Sequence, residues 1–178
     1  MRILVLYASA DGSTAGVADR IAKRLGRHGH DAASRPVSPA VGLDGVGAIV
    51  LGSAVHARQW LDEATTFVNT HHEALHELPL WTFSVGMPDA VPRAVRWMTR
   101  AEETGILDQL VDLRPRGHRL FSGVVAPGQF PLTTRIFLRL FGARYGDFRD
   151  WAAIDGWADG IAAELSRLAA DPAPLRDV

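Results

Sequence analysis

The stretch Ile3-Leu4-Val5-Leu6-Tyr7, running straight into Ala8-Ser9-Ala10-Asp11-Gly12-Ser13-Thr14, restricts the fold of this chain more than any other. A continuously apolar run of that length, ended by turn residues, reads as a strand covered on both faces, as in a parallel sheet. A helix is predicted to begin near Thr14, so the turn between strand and helix gathers backbone N–H groups at one point. Such a helix start, with small residues and hydroxyls, attracts an anion. Gly12 lets the backbone approach a ligand, and Ser9, Ser13 and Thr14 offer neutral donors. There is no Lys or Arg between Ile3 and Val17, so a phosphate here would be held by dipoles and hydrogen bonds.

That chemistry excludes several nucleotide-binding classes. A Walker loop needs Gly-Lys-Ser/Thr, and the turn has no Lys. A dinucleotide fingerprint needs three glycines, and the turn has only Gly12. A phosphate-accepting receiver needs carboxylates after the first and third strands, which here end in Tyr7-Ala8-Ser9 and Leu51-Gly52-Ser53. A phosphatase of this topology needs a loop Cys, and the chain has none. Two readings remain: a monophosphate site of the kind that holds flavin mononucleotide (FMN), or a helix start that is only capped.

Strands and helices alternate along the 178 residues. Thr14 to Leu25 places Val17, Ala18, Ile21, Ala22 and Leu25 on one helical stripe, with Gly26 as a stop. Further strands are expected at 31–37, 47–51, 80–85 and 118–125. Helices are expected from Trp60 or Leu61 to His76, from Pro92 to Glu103, and from Asp150, whose carboxylate caps it. This predicts an α/β, doubly wound, five-stranded parallel sheet with helices on both faces, in one domain over 1–170 and a loose tail over 171–178. Such sheets bind ligands beyond the carboxyl ends of their strands. The site is therefore expected in Ser9 to Thr14, in Ser53-Ala54-Val55-His56 through Arg58 and Trp60, and in Ser84-Val85-Gly86-Met87. Trp60 reads either as a wall for an isoalloxazine ring or as an anchor of its helix in the core. His56 and Arg58 are the candidates for contacting a substrate, and no acid–base pair has a spacing that compels a catalytic role.

At these residues the chain resembles the flavodoxin superfamily, and within it the branch of menaquinone-dependent protoporphyrinogen dehydrogenase. The resemblance lies in Ser9-Ala10-Asp11-Gly12-Ser13-Thr14, in Gly52-Ser53-Ala54-Val55-His56, in Ser84-Val85, in Phe121-Ser122-Gly123, and in Gly146-Asp147-Phe148-Arg149-Asp150-Trp151. It implies FMN as cofactor and electron transfer from a porphyrinogen to a quinone. The deazaflavin F420 is the alternative cofactor, because its ribityl-phosphate-like stem could use the same turn. A third reading is an electron carrier or binding module without its own substrate.

Net charge of −1 supports neither nucleic-acid binding nor long-range docking on a basic partner. The expected partner is a small molecule or quinone, with homodimerisation left open. Absence of Cys, of a secretion signal before the first strand and of any run of ~18–20 apolar residues predicts a cytoplasmic location. Residues 130–144 are amphipathic, with Arg135, Arg139 and Arg144 on one side. That pattern suits contact with an anionic membrane or an ordinary covering helix. His72-Glu73-Ala74-Leu75-His76 fits the zinc motif H-E-x-x-H, but its helix ends at Pro79, far from the expected ligand edge. No metal is expected.

Overall fold

The computed structural model describes residues 1–56, 59–87, 110–126, 128 and 145–170. The first strand, β1 (Arg2–Ala8), is followed by α1 (Ser13–Arg27), β2 (Asp31–Pro36) and β3 (Ala48–His56). Next come a short β4 (Gln59–Trp60), α2 (Asp62–Thr70), α3 (His72–Glu77) and β5 (Leu80–Gly86). A single 3₁₀ turn precedes β6 (Gly117–Ser122), and β7 (Val124–Val125), β8 (Gly146–Asp147) and α4 (Trp151–Ala170) complete the described elements. The main sheet runs β2-β1-β3-β5-β6, every pair in it parallel. The expected doubly wound five-stranded sheet is the observed one, and its switch point lies between β1 and β3.

Although β1 and β3 read as unbroken apolar runs, their side chains divide by the strand period of two. Ile3, Val5, Ala48 and Val50 pack under α1 and α4, with Trp81, Phe83 and Val85 from β5. Leu4, Leu6, Ile49 and Leu51 pack under α2 and α3, with Phe67 and Leu75. Two apolar layers thus sandwich the sheet and fix it rigidly beneath the loops at its carboxyl edge.

Polar contacts finish both layers. On one, Arg20 grips Asp155 through two bonds of 2.6 Å, and Arg24 grips Asp159 at 2.6 and 2.7 Å, fastening α1 to α4. The guanidinium of Arg24, with His28, holds the Asp159 carboxyl well below the usual carboxylate range. A depressed carboxylate pKa contributes stability above the unfolded value near 3.9 and loses it as pH falls through the folded value. The stability deficit of Asp159→Asn, read by urea titration, should therefore be present at pH 7 and vanish in strong acid.

On the other layer β5 turns Thr82 and Ser84, both fully buried, inward. Their hydroxyls meet the two ring nitrogens of His118, at 2.9 Å for Thr82 with Nδ1 and 3.3 Å for Ser84 with Nε2. Burial pushes His118 down to about 4. The unfolded chain takes up a proton near pH 6.5 that the folded chain refuses, so stability should fall as pH drops from about 6.5 to about 4. His118→Gln should flatten that part of a stability–pH profile.

Four local expectations are corrected. The helix expected to run on to His76 breaks at His71, giving α2 and α3. Gly26 lies within α1, and the left-handed residue after the helix is Gly29, at φ +84°. The loop expected after Gly52 is a continuation of β3 to His56, which folds back onto β4 through Val55↔Trp60 and His56↔Gln59. The strand expected over 118–125 is interrupted at Gly123, beyond which β7 pairs antiparallel with β8. Asp150 does cap α4, its carboxylate accepting the Ala153 N–H at 2.9 Å. The expected helix at 92–103, the amphipathic stretch 130–144, Arg58 and the tail 171–178 lie outside the described residues.

Candidate functional site

A cleft of about 370 Å³ opens at the carboxyl edge of the sheet, over the switch point. Its first wall is the turn after β1, with Ser9, Ala10, Asp11, Ser13 and Thr14. Its second is the end of β3, with Ala54, Val55 and His56, and Leu61 beyond the hairpin. Val85, Gly86 and Met87 from the end of β5 form the third wall, and Gly123, Val124 and Gly128 close it. A wider groove of about 550 Å³ runs between β6 and α4 at the sheet margin. Two of its charged groups, Arg116 and Glu164, are already paired at 3.0 Å.

The start of α1 is prepared for an anion. Gly12 takes the N-cap position in the left-handed region, φ +80°, which strains any side chain there. Among the described residues no side chain caps the helix, and no acid stands in its first turn. The N–H groups of the first turn, without intrahelical acceptors, therefore remain available. Thr14 is 1% exposed, yet its hydroxyl has no partner among the described residues. A buried hydroxyl left unpaired costs about 1–3 kcal/mol, and one in the cleft wall is free to donate to a ligand acceptor. Two neighbouring hydroxyls each accept one amide, Ser9 from Gly12 N–H at 3.0 Å and Ser13 from Val124 N–H at 3.0 Å. Each keeps its own O–H proton to give away. Three hydroxyl donors and a helix N-terminus make a set suited to a phosphate.

Among the described residues of the cleft the ionisable side chains are Asp11 and His56, both exposed. A guanidinium reaches the start of α1 from a distant part of the sequence. Arg149 packs on Gly16, where a Cβ would fall 2.6 Å from its Nη1. It is clamped by Asp147 at 2.9 and 2.6 Å and lies 4.5 Å over the Trp151 ring. Its charge is thus paired with that of Asp147.

Three side chains expected at the ligand lie elsewhere. Trp60 is 4% exposed and sits in the layer under α2 and α3, where its Nε1–H donates to Ser84 Oγ at 2.9 Å. It anchors the core rather than walling the cleft, and Ser84 is its buried acceptor. Ser53 is also buried, its Oγ accepting Leu61 N–H at 3.0 Å and so shaping the hairpin exit. Leu61, Gly123, Val124 and Gly128 were missed by sequence reasoning. The signal for Gly123 was its place after Ser122 at a strand end, masked by the two valines that follow. His72 and His76 lie 6.5 Å apart, ring to ring, on α3, which leads into the start of β5 at the opposite edge. Among the described residues no group of three or more His, Cys, Asp or Glu could hold a metal.

The flavodoxin-domain signature matches residues 4–149. The chain belongs to the flavodoxin-domain family. In keeping with that membership, the fold is shared with a cysteine-to-serine mutant of flavodoxin from Pseudomonas aeruginosa at a TM-score of 0.59 and 15% identity, over 93% of this chain and 99% of that one. An archaeal flavodoxin matches at 0.55 and 15% identity, over 93% and 99%. The rubredoxin oxygen:oxidoreductase of Desulfovibrio gigas matches at 0.59 and 13% identity, over 93% of this chain but 36% of that larger one. No curated protein sequence matches the chain. Among the described residues no helix is long and apolar enough to cross a membrane.

Proposed function

We propose that this flavodoxin-domain protein binds FMN in the cleft over β1, β3 and β5 and works as a redox protein. The observation that carries this reading is the uncapped start of α1 with the buried, unpaired Thr14 hydroxyl beside it. The phosphate of FMN would take the first-turn N–H groups and the hydroxyls of Ser9, Ser13 and Thr14. The ring would lie against Val55, Val85, Met87 and Val124, whose apolar surfaces exclude water, with the peptides of 54–56 and 85–87 facing its polar edge. Bound FMN supplies the electron-transfer chemistry, and the chain supplies position, dielectric and access. His56, exposed at the rim, would meet an anionic substrate group.

FMN is favoured over F420 by charge. The phosphate of F420 continues into an oligoglutamate tail, whereas the charged group on the described phosphate-side wall is the carboxylate of Asp11. Titrating the flavin-free protein with each cofactor by fluorescence tests the choice. FMN should bind more tightly by tenfold or more, about 1.4 kcal/mol, and a reversed preference would assign the cleft to F420.

The finer reading, a protoporphyrinogen dehydrogenase passing electrons to a quinone, rests on the motifs at Ser9–Thr14, Gly52–His56 and Gly146–Trp151. Steady-state oxidation of porphyrinogen by a quinone analogue, catalysed by the FMN-loaded protein alone, is its expected result. Dependence on an added reductase would make the protein a carrier.

A further inference from the structure

We propose that Ser13 is a positioning residue, whose hydroxyl locks the Gly123–Val124 wall of the cleft to the phosphate turn, so that one contact sets both ends of the flavin site. This rests on the FMN reading above, and it assigns Ser13 a task distinct from that of Thr14. The two hydroxyls are adjacent in sequence but differ in what they touch. Thr14 has no partner among the described residues, whereas Ser13 Oγ accepts the Val124 N–H at 3.0 Å from a strand 111 residues away.

The contact is built tightly. A Cβ at Gly123 would lie 2.6 Å from Ser13 Oγ and 2.8 Å from Val85 Cγ1, so only glycine lets the wall come this close. The Gly123 peptide is held on both sides: its N–H donates to the Gly86 carbonyl at 2.9 Å, and its carbonyl accepts from Phe148 N–H at 3.1 Å. Gly86 belongs to the third wall, and Phe148 follows β8, which pairs with β7. Phosphate turn, β5 end and the β7–β8 ribbon therefore meet at Gly123, with Ser13 as the link to the phosphate end. Accepting the amide also fixes the rotor of the Ser13 hydroxyl and turns its proton away from Val124.

A phosphate ligand and a lock differ in their effect on riboflavin, which has the ring but no phosphate. Dissociation constants for FMN and riboflavin should be measured for Ser13→Ala, Ser13→Thr and Gly123→Ala, with amide hydrogen exchange of Val124 followed in the flavin-free proteins. The expected result is that Ser13→Ala weakens riboflavin by about tenfold and FMN by at least as much, and speeds Val124 exchange by a similar factor. Ser13→Thr, which keeps the acceptor, should restore all three readouts. Gly123→Ala should weaken both flavins, and adding Ser13→Ala to it should cost little more, because both act on one contact. Loss of FMN affinity with riboflavin unchanged would reduce Ser13 to a phosphate ligand and overturn the lock. Unchanged Val124 exchange in Ser13→Ala would overturn it as well. If the wild-type protein takes up neither flavin, the FMN reading fails, and the exchange rate still decides whether Ser13 holds the wall.

Discussion

Gly52→Ala is expected to cost about 3 kcal/mol of folding stability, at the upper end for overpacking a core. A Cβ at position 52 would fall 2.1 Å from the Cζ of Phe83, and 2.3 and 2.4 Å from its two Cε atoms. Gly52 and Phe83 face each other across the central β3–β5 pair, so the aromatic ring lies flat over the missing side chain. The ring has nowhere to go. Phe83 is fully buried, with Phe121 at 6.3 Å and Trp157 at 6.1 Å, ring centre to ring centre. Relief must come from spreading two central strands directly beneath the cleft. A urea midpoint close to that of the wild type, with unchanged slope, would show that the sheet absorbs the methyl group.

Thr14→Val is expected to act in opposite directions on two properties. The replacement is nearly isosteric and removes a buried hydroxyl that has no partner among the described residues. The flavin-free protein should therefore be as stable as the wild type or about 1 kcal/mol more so. Binding of FMN should weaken by about 2 kcal/mol, roughly thirtyfold, the worth of a hydrogen bond to a charged phosphate. Riboflavin affinity should not change, which separates this residue from Ser13. Thermal unfolding without ligand, together with titration of both flavins, reads all three quantities. A destabilised apoprotein with unaltered FMN binding would mean that the hydroxyl serves the fold alone.

The strand–turn–helix unit at the start of the chain was legible because each of its parts is set locally. Ile3 to Tyr7, bounded by turn residues, reads as a covered strand, the 3–4 spacing of Val17, Ala18, Ile21, Ala22 and Leu25 reads as an amphipathic helix, and Gly12 can take φ +80° without strain. The other walls depend on partners remote in sequence. Ser53 to His56 looks like a loop by composition, yet it stays extended because Ser53 and Ala54 pair with Ser84 and Val85 of β5. No residue between them announces that pairing. Trp60 could have met a ring or a core, and Ser84 decides the matter by offering a buried acceptor to the indole. The break at His71 was hidden because the apolar spacing continues through it to Leu75. Arg149 is the clearest instance of a contact that sequence order conceals, since it reaches Gly16 from the far end of the fold and fills the space a side chain would need.

The most direct measurement is the ratio of FMN to riboflavin affinity for the wild-type flavin-free protein, taken from quenching of flavin fluorescence in phosphate-free buffer. The hydroxyls of Ser9 and Thr14 and the open first turn of α1 act on the phosphate, so FMN should bind at least thirtyfold more tightly, about 2 kcal/mol. Inorganic phosphate should compete with FMN and leave riboflavin binding unaffected. Equal affinities for the two flavins, or no uptake of either, would contradict a phosphate-anchored flavin site at this helix.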